Sequence, residues 1–147
     1  MELCNSPFFR ILRAGLWNAP LTEQETAGLG EQELVYVTQL ARAHAVCAVV
    51  ADGSAAMSEL LADYVDRTEK GNRLVDRVAE VMARFWEARG IKAVLLKGQG
   101  IAAMYPNPLH RTPGDIDWYF PGEANFRQAL KLAESRGAVT EEDGEAD

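Results

Sequence analysis

The sequence predicts an α+β fold in which a helical N-terminal region precedes the start of an α/β unit. In the first ninety residues, apolar side chains recur at spacings of three and four, which is typical of amphipathic helices. After Gly90, short apolar runs bounded by glycine and proline replace that spacing and indicate strands. The length of 147 residues, 48% of them apolar, fits one ordinary globular domain. We therefore divide the chain into a helical region (residues 1–90), an α/β region (residues 91–140) and an acidic tail (residues 141–147).

Four amphipathic segments make up the predicted helical region. They cover residues 8–16, 34–50, 60–65 and 74–85. Asn18-Ala19-Pro20 ends the first segment, Asp52-Gly53 breaks the second, and Gly90 closes the fourth. Thr22 and Glu25 have the spacing of a capping box, in which each side chain satisfies a free backbone N–H of the same helical turn.

The α/β region is predicted to contain two strands and two helices. Residues 91–96 (IKAVLL) predict a buried strand, which a glycine turn at residues 97–100 joins to a short helix at residues 101–105. Residues 116–120 predict a second strand, and a last helix places Phe126, Leu130 and Ala133 on one face and ends at Gly137. Residues 138–140 are a candidate for the start of a third strand.

This sheet is short of strands, because two strands and a fragment rarely form a stable sheet alone. Either the N-terminal helices cover the sheet, or a partner completes it, or the chain is a piece of a longer protein. We favour the last interpretation.

Charge and cysteine content exclude several classes of protein. The net charge is −7, and five acidic residues in the tail leave only −2 for the rest of the chain. Such a chain lacks the basic field that duplex nucleic acid demands. The two cysteines, Cys4 and Cys47, favour a reducing compartment over a secreted disulfide framework. The longest uncharged apolar stretch, residues 43–51, is too short to span a bilayer. We therefore expect a cytoplasmic protein with no membrane partner.

Asp115 and Asp117 are the candidate metal ligands. Side chains alternate along a strand, so these two carboxylates and Tyr119 are expected on one face. A pair of carboxylates can hold Mg²⁺, which keeps open positions for substrate phosphates. The alternative is an exposed acidic strand end, because Asp-x-Asp alone is a weak signal.

The glycine turn is the candidate phosphate site. In Lys97-Gly98-Gln99-Gly100 the glycines allow backbone N–H groups to approach a phosphate, and the following helix N-terminus favours negative charge. Arg111 precedes the acidic pair and can neutralise a triphosphate or form an ion pair with Asp115 or Asp117. An ordinary strand-to-helix turn with a solvated Lys97 is the other interpretation.

Taken in order, these motifs resemble a known superfamily. Residues 93–98 (AVLLKG), Tyr105-Pro106, Arg111 and residues 114–117 (GDID) are similar to the nucleotidyltransferase superfamily of DNA polymerase β. More narrowly, they resemble a bacterial family of uncharacterised nucleotidyltransferases. The resemblance covers most of the chain, and its specific part is residues 91–120.

The resemblance implies a mixed sheet flanked by helices and a Mg²⁺-dependent transfer of a nucleotidyl group from an NTP. It further implies that Asp115 and Asp117 are catalytic metal ligands and that Gly98 belongs to the phosphate turn, with Lys97, Gln99 and Arg111 as its polar neighbours. The expected partner is therefore an NTP, with an acceptor that is a small molecule or protein rather than nucleic acid.

The chain departs from the superfamily pattern at two points. Gln99 stands where the superfamily has Gly or Ser. The superfamily also has a third carboxylate on a later strand, and no apolar strand frames Glu141, Glu142 or Asp143. A truncated or degenerate binding or interaction module without catalysis is therefore the second hypothesis.

Predictions also apply to three further side chains. His110, in a loop flanked by prolines, is expected at the surface or against a phosphate. His44 is expected to be a satisfied histidine in the core or at its rim, and Cys47 is expected to be buried and inert.

Overall fold

The computed structural model describes residues 6–139 and confirms the α+β class, with helices first and a small sheet after them. Its α-helices are Pro7–Leu16 (α1), Glu23–Thr26 (α2), Glu31–Ala43 (α3), Cys47–Asp52 (α4), Ala55–Leu60 (α5), Ala62–Glu87 (α6), Gln99–Ala102 (α7) and Glu123–Glu134 (α8). The strands are Val94–Leu95 (β1) and Trp118–Tyr119 (β2), and a short 3-10 helix covers Pro108–His110. Within the described range, none of the helices combines the length and the apolar character needed to cross a membrane.

The main core lies among α1, α3, α4, α5 and the start of α6. Its buried members are Phe8, Ile11, Val37, Ala41, Cys47, Val50, Ala51, Met57 and Leu61. Helix α1 and the end of α4 approach so closely that a Cβ on Gly53 would collide with the Ile11 carbonyl oxygen. Glycine is therefore required at this crossing.

Cys47 is buried, as predicted. This burial raises the pKa of its thiol.

The capping box at the start of α2 is confirmed. The Glu25 backbone N–H donates to Thr22 Oγ1 at 3.3 Å, and the Thr22 N–H donates to Glu25 Oε2 at 2.9 Å. The Thr22 N–H and the Thr22 hydroxyl, which donates to the same Glu25 oxygen at 2.8 Å, stabilise the ionised carboxylate and lower the pKa of Glu25.

The predicted second helix is two helices, because the chain turns at Ala45 between α3 and α4. Ala45 has a left-handed φ of 54°, and the Val46 N–H donates to the Ala41 carbonyl at 2.9 Å. This is the bond pattern of a Schellman cap, whose left-handed position glycine usually occupies. The prediction of one run was wrong because an alanine gives no local signal for such a break. His44, next to this turn, is exposed.

The predicted third and fourth segments join into one 26-residue helix, α6. Two ion pairs at i,i+4 spacing bridge the polar stretch between them: Asp66 with Lys70 at 2.6 Å, and Glu69 with Arg73 at 2.7 Å. The prediction of separate segments was wrong because apolar spacing alone ignores such pairs. The helix closes near Gly90, as expected.

The α/β region is thinner than predicted. Both strands have two residues rather than five or six, and they pair antiparallel with Val94 opposite Tyr119 and Leu95 opposite Trp118. Within residues 6–139 the sheet consists of this antiparallel pair, so the mixed sheet that the resemblance implies is not seen there. Ala138 and Val139 are not in a strand, whereas Thr140 and the acidic tail lie outside the described residues.

A second small core joins α6, α8 and the sheet. Trp86, Ile91 and Ala129 are buried in it, and Trp118 and Phe120 pack against them. The predicted apolar face of α8 is correct at Ala133, which packs against this core, and wrong at Phe126, which is 49% exposed while Ala129 is buried instead. The correct face is marked by Ala129, Leu132 and Ala133, which the larger side chain of Phe126 obscured in the sequence.

Candidate active site

Strand pairing places the glycine turn beside the acidic segment. The Leu96 N–H donates to the Asp117 carbonyl at 3.0 Å, which extends the ladder one residue past the named strands. Directly after it, Lys97 Nζ lies 3.5 Å from Asp117 Oδ2. Two motifs about twenty residues apart in the sequence therefore form one cluster.

Gly98 fixes the contact between them. Its φ of 74° and ψ of −114° lie in a region that residues with a side chain rarely adopt. A Cβ at this position would also lie 2.9 Å from the Asp115 carbonyl oxygen. The turn thus packs directly on the backbone of the first acidic residue, and both the dihedral angles and the close approach require glycine.

The two carboxylates differ in their surroundings. Asp115 is exposed. It lies three residues before β2, which is shorter than predicted. The Asp117 side chain is only 31% exposed, and its Oδ2 is buried without a hydrogen-bond partner. Trp118 and Phe120 pack toward the second core while Tyr119 is exposed, so the side chains alternate as expected at this end of the strand.

The donor chemistry of this pair fits Mg²⁺. Carboxylate oxygens are its preferred protein ligands, and one or two carboxylates commonly suffice when phosphates and water supply the rest. Asp117 Oδ2, buried without a hydrogen bond and 3.5 Å from the Lys97 ammonium, is an acceptor of this kind. Among residues 6–139 there is no group of three or more His, Cys, Asp or Glu side chains that could hold a metal ion.

Gln99 turns its side chain away from the predicted phosphate position and toward helix α6. Its Nε2 donates to Asp76 Oδ1 at 2.5 Å and lies 3.3 Å from Asn72 Oδ1. The side chain that departs from the superfamily pattern therefore links the glycine turn to α6.

Arg111 lies at the edge of a groove of about 360 Å³ that also includes Tyr105, Thr112 and Gly114. Its guanidinium donates to the Thr112 carbonyl at 3.2 Å. Among the described ion pairs, none joins Arg111 to Asp115 or Asp117, so the clamp considered from the sequence is not formed.

Sequence reasoning missed the contacts by which two residues fix the loop before the acidic pair to the helices. His110 is buried rather than at the surface, with Nδ1 2.7 Å from Asp52 Oδ2 and Nε2 3.1 Å from Glu69 Oε1. Asn72 is fully buried and binds the backbone at Leu109 and Arg111. Asn72 lies seven residues before Ala79, which lies seven before Trp86, so all three share the buried face of α6. Recognising α6 as one continuous helix would have revealed this polar member of the stripe.

Comparison with known proteins gives one match. A family model described as "Uncharacterised nucleotidyltransferase" matches residues 31–147. No curated protein and no solved structure matches the chain. The matched range includes α3 to α8 and every residue of the cluster described above. Because the match extends over most of its length, the chain belongs to this family of uncharacterised nucleotidyltransferases.

Proposed function

We propose that the protein is a Mg²⁺-dependent enzyme that transfers a nucleotidyl group from an NTP to a hydroxyl of an acceptor. The observation that supports this most is the packing of the Gly98 turn against the Asp115 backbone, where a Cβ on Gly98 would lie 2.9 Å from the Asp115 carbonyl oxygen. It supports the proposal because a glycine turn lies beside the segment that carries two carboxylates, and such a transfer needs both parts.

Asp115 and Asp117 are the proposed metal ligands and catalytic residues. Bound Mg²⁺ would neutralise charge on the phosphates and on the leaving group. Asp117 supplies a half-buried carboxylate whose Oδ2 makes no hydrogen bond, and Asp115 supplies an exposed one that an incoming nucleotide can reach.

Lys97 and Arg111 supply the positive charge for the triphosphate. The Lys97 side chain is 65% exposed, and its ammonium pairs with Asp117 at 3.5 Å, too long for a strong hydrogen bond. A cation held by Asp117 would displace Lys97 and make its ammonium available to a phosphate oxygen. Gly98 and the backbone of Gln99 form the turn beneath the phosphates, and Arg111 approaches from the groove.

The proposed reaction is an in-line displacement at the α-phosphorus. A bond forms from the acceptor oxygen to the α-phosphorus, and the bond from that phosphorus to the oxygen bridging to the β-phosphate breaks. Pyrophosphate leaves, and the proton of the acceptor hydroxyl passes to solvent water. The near-neutral body of the chain favours a small molecule or a protein as acceptor over nucleic acid. The buried free thiol of Cys47 favours the reducing cytoplasm as the compartment.

The test is a thermal-shift and calorimetric series with Mg²⁺, with each of the four NTPs, and with both together. A ligand that binds only the folded chain raises the melting temperature by mass action. We expect a shift that needs metal and nucleotide together, and we expect Asp115→Asn with Asp117→Asn to abolish it. Asp63→Asn with Glu134→Gln is the matched control, because it also removes two negative charges, but at exposed helical positions. Unchanged binding in the first pair would refute the assigned ligands.

A non-catalytic nucleotide-binding or interaction module is the second candidate. It is favoured by the absence, within residues 6–139, of a third acidic ligand near the pair. Pyrophosphate release from a labelled NTP, measured with a broad set of small hydroxyl compounds and proteins, separates the two. Nucleotide binding without any release would favour the module, and release that the Asp115 and Asp117 variants lose would favour the enzyme.

A further inference from the structure

We infer that Asn72 is a positioning residue for nucleotide binding, because it ties the glycine turn and the acidic segment to one helix. This inference rests on the proposed function, since it assigns the control of that same site to helix α6.

Both amide hydrogens of Asn72 are used on the acidic side of the site. Nδ2 donates to the Leu109 carbonyl at 2.7 Å and to the Arg111 carbonyl at 2.6 Å. The bonded segment ends four residues before Asp115. A flipped amide would present its oxygen to two carbonyl oxygens, so the pair of bonds defines one orientation of the side chain.

The remaining group of Asn72 faces the glycine turn. Oδ1 lies 3.3 Å from Gln99 Nε2, and the same nitrogen donates to Asp76, one helical turn further along α6. Gln99 directly follows Gly98. A single fully buried side chain thus contacts Gln99 of the glycine turn and the loop before the metal ligands.

Backbone packing on α6 supports the same arrangement. A Cβ on Gly71 would lie 3.0 Å from Pro113 Cγ, so the helix lies directly against the loop at this point. Gln99 stands where the superfamily has Gly or Ser, and its contacts give this larger side chain a structural role. Its long side chain reaches α6, so the distance between turn and carboxylates is set by the helix as well as by the two-residue strands.

The experiment measures how strongly metal and nucleotide bind together, using Mn²⁺ and ATP as probes. Free Mn²⁺ is followed by electron paramagnetic resonance, and ATP affinity is measured by calorimetry with and without Mn²⁺. In Asn72→Leu, a change that conserves size and adds no charge, we expect Mn²⁺ alone to bind unchanged. We expect ATP affinity in the presence of Mn²⁺ to fall about tenfold, comparable to the smaller losses of metal affinity or activity that follow removal of a group orienting a metal ligand.

Asn125→Leu is the matched control. Asn125 also bridges distant backbone, with Nδ2 donating to the Lys92 carbonyl at 2.6 Å and Oδ1 accepting from the Lys92 N–H at 3.0 Å. It ties α8 to the chain before β1 and does not contact the turn or the acidic loop through these bonds. Asn125→Leu should lower the melting temperature and leave the effect of Mn²⁺ on ATP affinity intact. Asn72→Leu would give the same result if Asn72 had only a structural role.

A second variant decides the matter if Asn72→Leu does not fold. Asp76→Ala changes an exposed residue of α6 and removes only the outer bond to Gln99. A weaker loss in the same direction supports the inference, and full retention of Mn²⁺-dependent ATP binding in this variant or in Asn72→Leu overturns it. Absence of Mn²⁺-dependent binding of all four NTPs in the unmodified chain would instead refute the proposed function, and the inference with it.

Discussion

The helical region and the α/β region are built with very different amounts of core. Among residues 6–139, nine buried side chains form the main core, whereas three are buried in the second, and one of these, Trp86, belongs to helix α6. The candidate active site lies in the thinner region. Regions with few buried apolar contacts open at lower free energy than dense cores. The geometry of the site therefore depends on helix α6, which begins in the denser region.

Truncation of a core leucine should show the largest difference between the two regions. Leu61 is fully buried in the main core, so Leu61→Ala should lower the free energy of unfolding by about 3 kcal/mol. Leu132 is only half-buried beside the second core, and Leu132→Ala should cost about 1 kcal/mol. Urea denaturation of both variants measures this difference. Equal losses would contradict the view that the second core is the weaker one.

Overpacking at the α1–α4 crossing tests the density of the main core directly. Gly53→Ala should cost about 2 kcal/mol, because the added methyl group collides with the Ile11 carbonyl. At Gly28 nothing lies within 4 Å of the place that an added methyl group would occupy, so Gly28→Ala should be neutral or slightly stabilising. Thermal unfolding of the pair is the measurement. A harmless Gly53→Ala would show that the two helices separate easily.

His110 tests the joint between the two regions. Its ring links a loop of the α/β region to Asp52 on α4 and Glu69 on α6, and both carboxylates keep partial contact with water. His110→Ala should therefore cost about 2 kcal/mol, less than the loss of a partner in a fully buried pair. Exposed His44→Ala is the control and should change stability little. In the His110→Ala variant, hydrogen exchange of the backbone amides should be faster in β1 and β2 than in α4.

The smallest effect is expected at the surface of the helical region. The hydrogen bonds of the capping box lower the pKa of Glu25 in the folded chain, so its contribution to stability is present above the unfolded pKa and disappears as the pH falls through the folded pKa. The stability difference between the natural chain and Glu25→Ala should therefore be largest near neutral pH and vanish in acid. Urea denaturation at several pH values measures it, with Glu23→Ala as the control. A difference that persists in acid would point to helix propensity instead.

The sequence predicts much of the helical region because its signals are local. The first helix, the capping box and the end of α6 follow from spacing and capping residues close together in the chain. The break at Ala45 could not be predicted, since alanine rarely adopts a left-handed φ and the turn depends on packing of α4.

In the α/β region the sequence identifies the motifs but not how they are held. The order of the glycine turn and the acidic pair predicts their proximity, which the Gly98 and Leu96 contacts show. The bonds of Asn72 and His110 span 37 to 58 residues along the chain, and no local pattern encodes partners so distant. The roles of Asp115 and Asp117 stay predictions until binding is measured.

The left-handed alanine at the end of α3 has an energetic meaning of its own. An alanine in this conformation costs about 1 kcal/mol relative to glycine, which natural selection could have recovered by one substitution. The Ala45 carbonyl accepts a hydrogen bond from the Thr112 hydroxyl, in the loop that leads to the acidic pair. Glycine would relax the turn and also loosen the backbone that presents this carbonyl. The chain thus keeps a local cost in stability where the two regions meet, and rigidity at that junction is the benefit.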